Sequence, residues 1–284
     1  MTNQPASPSS RVAVLIDCDN ISWQRATAVV AEAATHGVLG VKRGYGDWGS
    51  PNLSGWRRQL TPLAIQPVQQ IAYVAGKGAT DIALVIDAMD LLYSGQVDTF
   101  CVVASDSDYT RLAMRLREAG KRVVGIGAKQ TPAAFSSACD RFTFVEVLGS
   151  SDRPSEPTGE PVERRTNDVQ EEGVGTSQPE LPTVTAAEAP DLHDMLSAAV
   201  AAVLDEGGWA LLSRVGWHLV ANHPTFDSRN YGYARLGQLV RDQEYLEVKE
   251  VPGVGGNSVW HVRPREAQRE RGEHVGTVGR PSTP

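Results

Sequence analysis

Short, continuous runs of apolar residues in the first half of the chain constrain its fold more than any other feature. RVAVLI (residues 11–16) and TFCVVA (residues 99–104) are apolar at almost every position rather than at alternate ones. Strands of this kind are buried on both faces, as in a parallel sheet that carries helices on either side. Segments with helical spacing of apolar residues lie between these runs and further short strands. The sequence therefore predicts an α/β fold with a doubly wound, mainly parallel sheet over residues 11–148.

A second, smaller folded segment is predicted at residues 191–264. Three amphipathic helical patterns, at about 192–204, 211–221 and 231–242, precede two short strands around the turn PGVGGNS. Strands that flank a glycine-rich turn are typical of a β-hairpin. Three helices followed by a hairpin predict a small winged-helix domain.

The remaining stretches are predicted to be disordered. Residues 149–190 are rich in Pro, Glu, Ser, Thr and Gly and contain no aromatic residue. Such a segment buries too little apolar area to offset the entropy lost on ordering. We therefore expect a disordered linker at 149–190, and disordered ends at 1–10 and 265–284. The linker would let the second domain act as a flexible tether for substrate.

Composition excludes few function classes. The net charge is −7, but the predicted linker holds nine acidic residues and three basic ones, so the total charge does not argue against a nucleic-acid partner. The three cysteines have no CxxC spacing, which argues against a disulfide framework or a zinc site. No apolar run approaches the roughly 20 residues of a membrane span, and the first ten residues lack the apolar core of a signal peptide. We expect a cytoplasmic protein with no membrane contact.

Four aspartates stand where a parallel sheet would place a site. Asp17 follows the first strand and Asp106 follows TFCVVA, so both project beyond the carboxyl ends of strands, where open sheets bind ligands. Asp81 and Asp108 each begin a predicted helix. Carboxylates that converge repel one another unless a cation neutralises them, and oxygen ligands suit Mg²⁺ or Mn²⁺. An aspartate at a helix start is also often only an N-cap. The spacing alone therefore leaves a nuclease, a phosphatase and a nucleotide-binding protein open.

Four motifs of this segment carry a family resemblance. RVAVLIDCDNISW, GYGDW, KGATDIALVIDAMDL and VVASDSDYTRL occur in this order, and they resemble the motifs of NYN domains of the PIN-like nuclease superfamily. The resemblance implies a divalent-metal site and activity on RNA, although the turn GAT replaces the single apolar residue that many relatives have before the aspartate. The implied metal ligands are Asp17, Asp81, Asp106 and Asp108, with Asn20 and Ser105 orienting ligands or water and Asp87 as a second-tier candidate.

Basic residues of the first segment are candidates for phosphate contacts, although ordinary surface charge is the commoner role for any one of them. They are Lys42, Arg43, Arg57, Arg58 and Lys77.

The second segment resembles a LOTUS domain, also called OST-HTH, through VGWHLVANHPTFDSRNYGYARLGQLV (residues 215–240). Such domains are associated with RNA or with protein partners. Exposed residues that could contact either are Trp217, His218, Arg229, Tyr233 and Arg235, although aromatic residues at these spacings are more often core.

These observations predict a divalent-metal-dependent endoribonuclease with a C-terminal module that binds RNA or a protein partner. One alternative is a catalytically silent RNA-binding or regulatory adaptor. Another is a metal-dependent phosphatase, because Asp17 and Asp19 have the two-residue spacing of a nucleophile and its partner acid. The second alternative lacks a well-placed lysine, Lys121 and Lys129 being the candidates.

Overall fold

The structure is a computed structural model, and it describes residues 10–70, 79–149, 191–252 and 258–265. The disorder predicted for the chain ends and for the linker falls outside these residues, apart from the flanking Ser10, Gly149 and Arg265. The predicted phosphate contact Lys77 also lies outside the described residues.

The first segment is a six-stranded parallel sheet in the order β3-β2-β1-β4-β5-β6, with helices on both faces. This confirms the predicted doubly wound α/β fold. Its strands are β1 (Arg11–Asp17), β2 (Val38–Gly46), β3 (Gln66–Gln69), β4 (Thr99–Val103), β5 (Arg122–Gly127) and β6 (Arg141–Phe144). Its helices are α1 (Ala26–Ala34), α2 (Ser54–Leu63), α3 (Ala79–Tyr93), α4 (Thr110–Glu118) and α5 (Ala133–Ala138).

Strand β1 shows why the sequences of the strands are continuous apolar runs. Ala13 and Leu15 pack beneath α3, α4 and α5, whereas Val14 and Ile16 pack beneath α1 and α2. Successive side chains of a strand point to opposite faces, so a sheet covered on both faces needs an apolar residue at every position. Because the strands are parallel, their carboxyl ends share one edge of the sheet, which carries Asp17.

The sequence predicts a first helix at about residues 21–35 and a third strand at about residues 65–73. The first helix begins only at Ala26, after a 3₁₀ turn at Trp23–Arg25 in which the Ser22 hydroxyl accepts from the Gln24 backbone N–H. The third strand is Gln66–Gln69. Residues 71–73 lie outside the described residues.

The second segment is a helical domain with a small antiparallel sheet, in the strand order β7-β9-β8. The predicted helix at 231–242 is wrong in its first half. A 3₁₀ turn at Ser228–Tyr231 ends at Gly232, whose φ of +85° suits glycine, and the α-helix starts only at Leu236. The elements are α6 (Leu192–Ala202), β7 (Ala210–Leu211), α7 (Leu212–Asn222), α8 (Leu236–Arg241), β8 (Leu246–Pro252) and β9 (Ser258–Pro264).

All three cysteines are free thiols buried in the first segment. Cys18 and Cys101 belong to the core between the sheet and α1–α2, and Cys139 belongs to the core on the other face. Burial, followed by the charge of Asp140, raises the pKa of Cys139 to about 12, and burial raises the pKa of the other two thiols as well. In the part of the chain that the structure describes, no helix is long and apolar enough to cross a membrane.

Gly127, at the end of β5, tests the packing of the sheet. A Cβ atom there would clash with the Ala104 carbonyl oxygen, which is a backbone atom and not the end of a flexible side chain. We expect Gly127→Ala to lower the free energy of unfolding by about 1–3 kcal/mol, as overpacking does. Urea denaturation measures this, with Gly40→Ala in β2 as the control. Its Cβ would meet only one atom, at 3.9 Å, so an equal loss in both variants would contradict the packing argument.

Candidate active site at the carboxyl edge of the sheet

Asp17 ends β1 and is completely buried. Its Oδ1 accepts hydrogen bonds from the backbone N–H groups of Asp19 and Asn20, at 3.2 and 3.3 Å. The Asn20 side-chain amide donates to Oδ2 at 2.9 Å. Both carboxylate oxygens are thus held in a fixed orientation by the turn that follows the strand. Asn20, predicted to orient ligands, lies directly on Asp17.

The surroundings of Asp17 oppose its negative charge. Burial raises the pKa of its carboxyl group from the ordinary 3.8 to about 6, against the hydrogen bond from Asn20, which lowers it. The charges of Asp81 and Asp19 raise it further. Sequence reasoning assigned Asp19 only to the phosphatase alternative, yet it is one of the carboxylates next to Asp17. The hydroxyl of Thr80 holds it, donating to Asp19 Oδ2 at 2.8 Å.

A buried tyrosine connects the predicted aspartates. The Tyr109 hydroxyl donates to Asp81 Oδ1 at 2.6 Å, and Asp81 lies in the first turn of α3. Burial raises the pKa of Tyr109, and so do the charges of Asp17, Asp81 and Asp106. One phenol therefore contacts Asp81 and lies within reach of the charges of two other predicted metal ligands. Sequence reasoning missed Tyr109, although it directly follows Asp108 in the SDSDY run.

Asp108 lies in a 3₁₀ turn, Ser107–Tyr109, between β4 and α4, and Asp106 directly precedes this turn. Asp106 is its N-cap, because Oδ1 accepts from the Asp108 backbone N–H at 3.0 Å. Asp108 itself is exposed. Ser105 links two strand exits, since its hydroxyl oxygen accepts from the Ala128 backbone N–H at 2.9 Å. Asp106 thus combines the capping role with a position near the Tyr109 phenol.

Asp87 lies in an ion pair instead of among the other aspartates. Its Oδ2 accepts from Arg43 and from the Tyr45 hydroxyl, each at 2.9 Å, which ties β2 to the middle of α3. The Arg43 side chain is three-quarters buried, and the carboxylate of Asp87 balances its positive charge. The phosphate contact of Arg43 stays a prediction, and Asp87 has a structural role in joining β2 to α3.

The other described candidates for phosphate contacts also interact with neighbouring groups of the protein. Lys42 donates to the Leu63 carbonyl, and Arg57 donates to the carbonyl oxygens of Trp48 and Ser50. Arg58 is exposed on α2 and stacks over the ring of Trp23 at 5.4 Å.

In the second segment, Trp217 and Arg235 are exposed, while His218 and Tyr233 are half-buried. Arg229 was predicted to be an exposed contact residue, and this is wrong. Its guanidinium group forms ion pairs with Asp227 and with Glu32 of the first segment. A charge held between two carboxylates is not available to a ligand.

The donors at the candidate site suit a hard cation, because they are carboxylate oxygens without histidine or thiolate. A divalent ion would also offset the repulsion that raises the pKa of Asp17. Within the described residues, however, no three side chains of His, Cys, Asp or Glu are close enough together to hold an ion as they stand. The residues fit such an ion in chemistry and charge, and its binding would have to draw the carboxylates together.

Comparison with known proteins identifies both segments. The family model of the NYN domain matches residues 11–148, and that of the OST-HTH/LOTUS domain matches residues 184–257. No curated protein matches the chain.

Three solved structures are similar to parts of the chain. A fragment of a Chromobacterium violaceum protein is 38% identical, with 31% of this chain and 96% of that one covered and a TM-score of 0.25. An uncharacterized Nitrosomonas europaea protein is 31% identical, with coverage of 32% and 92% and a TM-score of 0.24. A Vibrio parahaemolyticus protein of unknown function is 16% identical, with coverage of 50% and 96% and a TM-score of 0.41.

NYN domains are PIN-like nuclease domains that generally use divalent metal ions, and OST-HTH/LOTUS domains are RNA-binding modules. The chain therefore contains an NYN domain at residues 11–148 and a C-terminal OST-HTH/LOTUS domain at residues 184–257.

Proposed function

We propose that the protein is a divalent-metal-dependent endoribonuclease that works in the cytoplasm and uses its OST-HTH domain to hold RNA or a protein partner. The observation that supports this is the buried Tyr109 phenol at the carboxyl edge of the sheet, which donates to Asp81 and whose pKa is raised also by the charges of Asp17 and Asp106. Among the described residues, these carboxylates would supply negative charge and oxygen donors to a metal ion.

The chain's own residues would hold Mg²⁺ or Mn²⁺ through Asp17, Asp81 and Asp106, with the exposed Asp108 beside them. A bound divalent ion lowers the pKa of a water molecule and stabilises charge on the phosphoryl group. Asn20 and two backbone N–H groups fix the Asp17 oxygens, and Tyr109 fixes Asp81. A preorganised arrangement of this kind reduces the reorganisation needed when the substrate phosphate arrives.

The geometry favours this function over a phosphatase that uses Asp17 as its nucleophile. A nucleophilic carboxylate must reach the phosphorus atom, whereas Asp17 is completely buried and both of its oxygens accept hydrogen bonds. A cleavage assay on RNA distinguishes the nuclease from a catalytically silent adaptor.

The test incubates the purified protein with labelled single-stranded RNA in Mg²⁺, in Mn²⁺ and in EDTA, beside an Asp17→Asn, Asp106→Asn double variant. We expect cleavage with metal, none in EDTA and none by the double variant. Hydrolysis of p-nitrophenyl phosphate without RNA cleavage would support the phosphatase. RNA binding without cleavage under either metal would support the adaptor.

Tyr109 is a positioning residue for Asp81, and its hydroxyl can be removed alone. We expect Tyr109→Phe to reduce cleavage about 10–100-fold and to weaken Mn²⁺ binding by a similar factor, as loss of a partner of a metal ligand does. Titration of Mn²⁺ into the protein, followed by its paramagnetic signal, measures the affinity directly. The control is Tyr93→Phe, which removes an exposed hydroxyl from α3. Reduced cleavage with unchanged Mn²⁺ affinity would contradict the positioning role.

A further inference from the structure

The outer edge of β6 is covered by the OST-HTH domain. Strand β6 is the last strand of the sheet, so its outward N–H and C=O groups have no neighbouring strand. The Phe142 backbone N–H donates instead to the Pro224 carbonyl oxygen at 2.8 Å. Exposed edge strands invite unwanted pairing, and proteins commonly cover them. A contact of this kind joins the two domains through their backbones.

A row of four charged side chains of alternating sign lies beside this backbone contact. Arg229 of the OST-HTH domain donates to both carboxylate oxygens of Glu32 on α1, at 3.0 and 3.2 Å. It also pairs with Asp227 at 2.7 Å, and Asp227 accepts from Arg141 at the start of β6 at 3.2 Å. We call these residues the dock cluster, which consists of Glu32, Arg229, Asp227 and Arg141.

The dock cluster is prearranged within each domain. Asp227 accepts from the Arg229 backbone N–H at 2.9 Å and from its side chain, so the guanidinium group is already oriented inside the OST-HTH domain. Burial alone would raise the pKa of Asp227, but the hydrogen bonds from Arg229 outweigh it and hold the pKa below its usual value. On the NYN domain, the Thr143 hydroxyl donates to Glu32 at 3.3 Å. A bidentate bond between two preoriented groups loses little side-chain entropy when it forms.

Glu32 is the residue that depends most on the contact. Its side chain is only 8% exposed, and the Arg229 guanidinium is the cation paired with it among the described residues. This burial includes the cover that Arg229 of the OST-HTH domain provides. Separation of the domains would therefore leave Glu32 without its ion pair and β6 without its edge hydrogen bond.

We propose that the dock cluster is an intramolecular docking site that holds the OST-HTH domain against the edge of the NYN domain, so that the two domains move as one body. Glu32 lies near the end of α1, and Arg141 begins β6, so the contact is displaced toward the amino ends of the strands. The aspartates follow the opposite, carboxyl ends. The docked module thus leaves the candidate active site uncovered, and it does not act as a free tether.

The test measures hydrogen exchange of the Phe142 amide and small-angle X-ray scattering on the full chain. In the unmodified protein we expect a protected Phe142 amide and the radius of gyration of a single compact body. In Glu32→Gln, the amide should exchange about tenfold faster or more, because removal of one partner weakens a buried pair. The radius of gyration should rise in the same variant.

The matched control is Glu247→Gln, which removes an ion pair with Arg263 inside the OST-HTH domain and should change neither readout. Amides of β1 and β4 report folding in the same exchange experiment. If Glu32→Gln does not fold, Arg229→Gln breaks the pair from the other domain. An unmodified protein whose Phe142 amide exchanges like an exposed loop amide, or which scatters as two separate bodies, overturns the proposal without any variant. Unchanged readouts in both folded dock variants overturn it too.

Discussion

Asp17→Asn is expected to reduce metal-dependent RNA cleavage by more than about 100-fold, beyond the loss typical for a residue that only supports a metal ligand. The asparagine keeps the shape of the side chain but removes the negative charge from the most deeply buried carboxylate of the site. Single-turnover cleavage of labelled RNA at saturating Mn²⁺ measures the chemical step without interference from product release.

Asp90→Asn is the control, since Asp90 lies on α3 with Asp81 but is exposed. We expect this variant to cleave at the unmodified rate. A loss of similar size in both variants would mean that overall charge, and not the candidate site, determines the rate. A fully active Asp17→Asn protein would remove Asp17 from the catalytic site.

The same substitution should stabilise the protein in the absence of metal. The pKa of Asp17 is raised to about 6 in the folded state from an ordinary value near 3.8, so the folded protein binds a proton more tightly than the unfolded chain does. Stability is therefore lost as the pH rises from about 4 to about 6, and the full penalty remains at neutral pH. Two pKa units correspond to about 3 kcal/mol, an upper limit for what a neutral asparagine recovers.

Urea denaturation in EDTA at pH 7.5 and at pH 4 measures this difference. We expect Asp17→Asn to be more stable than the unmodified protein at pH 7.5 and nearly equal at pH 4, provided that the Asn20 amide turns over to accept from the new side-chain N–H₂ group. Mn²⁺ should stabilise the unmodified protein far more than the variant, because a ligand stabilises the state that binds it. A variant that is less stable at pH 7.5 would show that the hydrogen bonds to Asp17 outweigh the cost of its buried charge.

The sheet and the position of its site could be predicted because both follow from local sequence. Each strand is buried on both faces, so it appears as an apolar run, and the residue after it stands at the carboxyl edge. Asp17 and Asp106 could be placed on the same edge for this reason alone. The start of α1 and the break at Gly232 were missed because short 3₁₀ turns have the composition of the helices that they adjoin.

The partners of individual side chains could not be predicted in the same way. Arg43 and Asp87 are 44 residues apart, and Arg229 and Glu32 are 197 residues apart. The residues next to an arginine in sequence do not indicate which distant carboxylate it pairs with. The sequence therefore predicts a phosphate contact for Arg43 and an exposed contact to RNA or a protein partner for Arg229. Tyr109 was missed for a related reason, because a tyrosine at the start of a helix usually packs in the core, and only the fold brings Asp81 to its hydroxyl.

The burial of all three cysteines also determines how the protein can be labelled. A thiol with a raised pKa and no access to solvent reacts slowly with maleimides, because the thiolate is the reactive form. Cys18, Cys101 and Cys139 can therefore stay in place while new cysteines are introduced at exposed positions, such as Glu118 in the NYN domain and Glu206 in the OST-HTH domain. A pair of fluorophores attached there would follow the distance between the domains in single molecules as RNA is added.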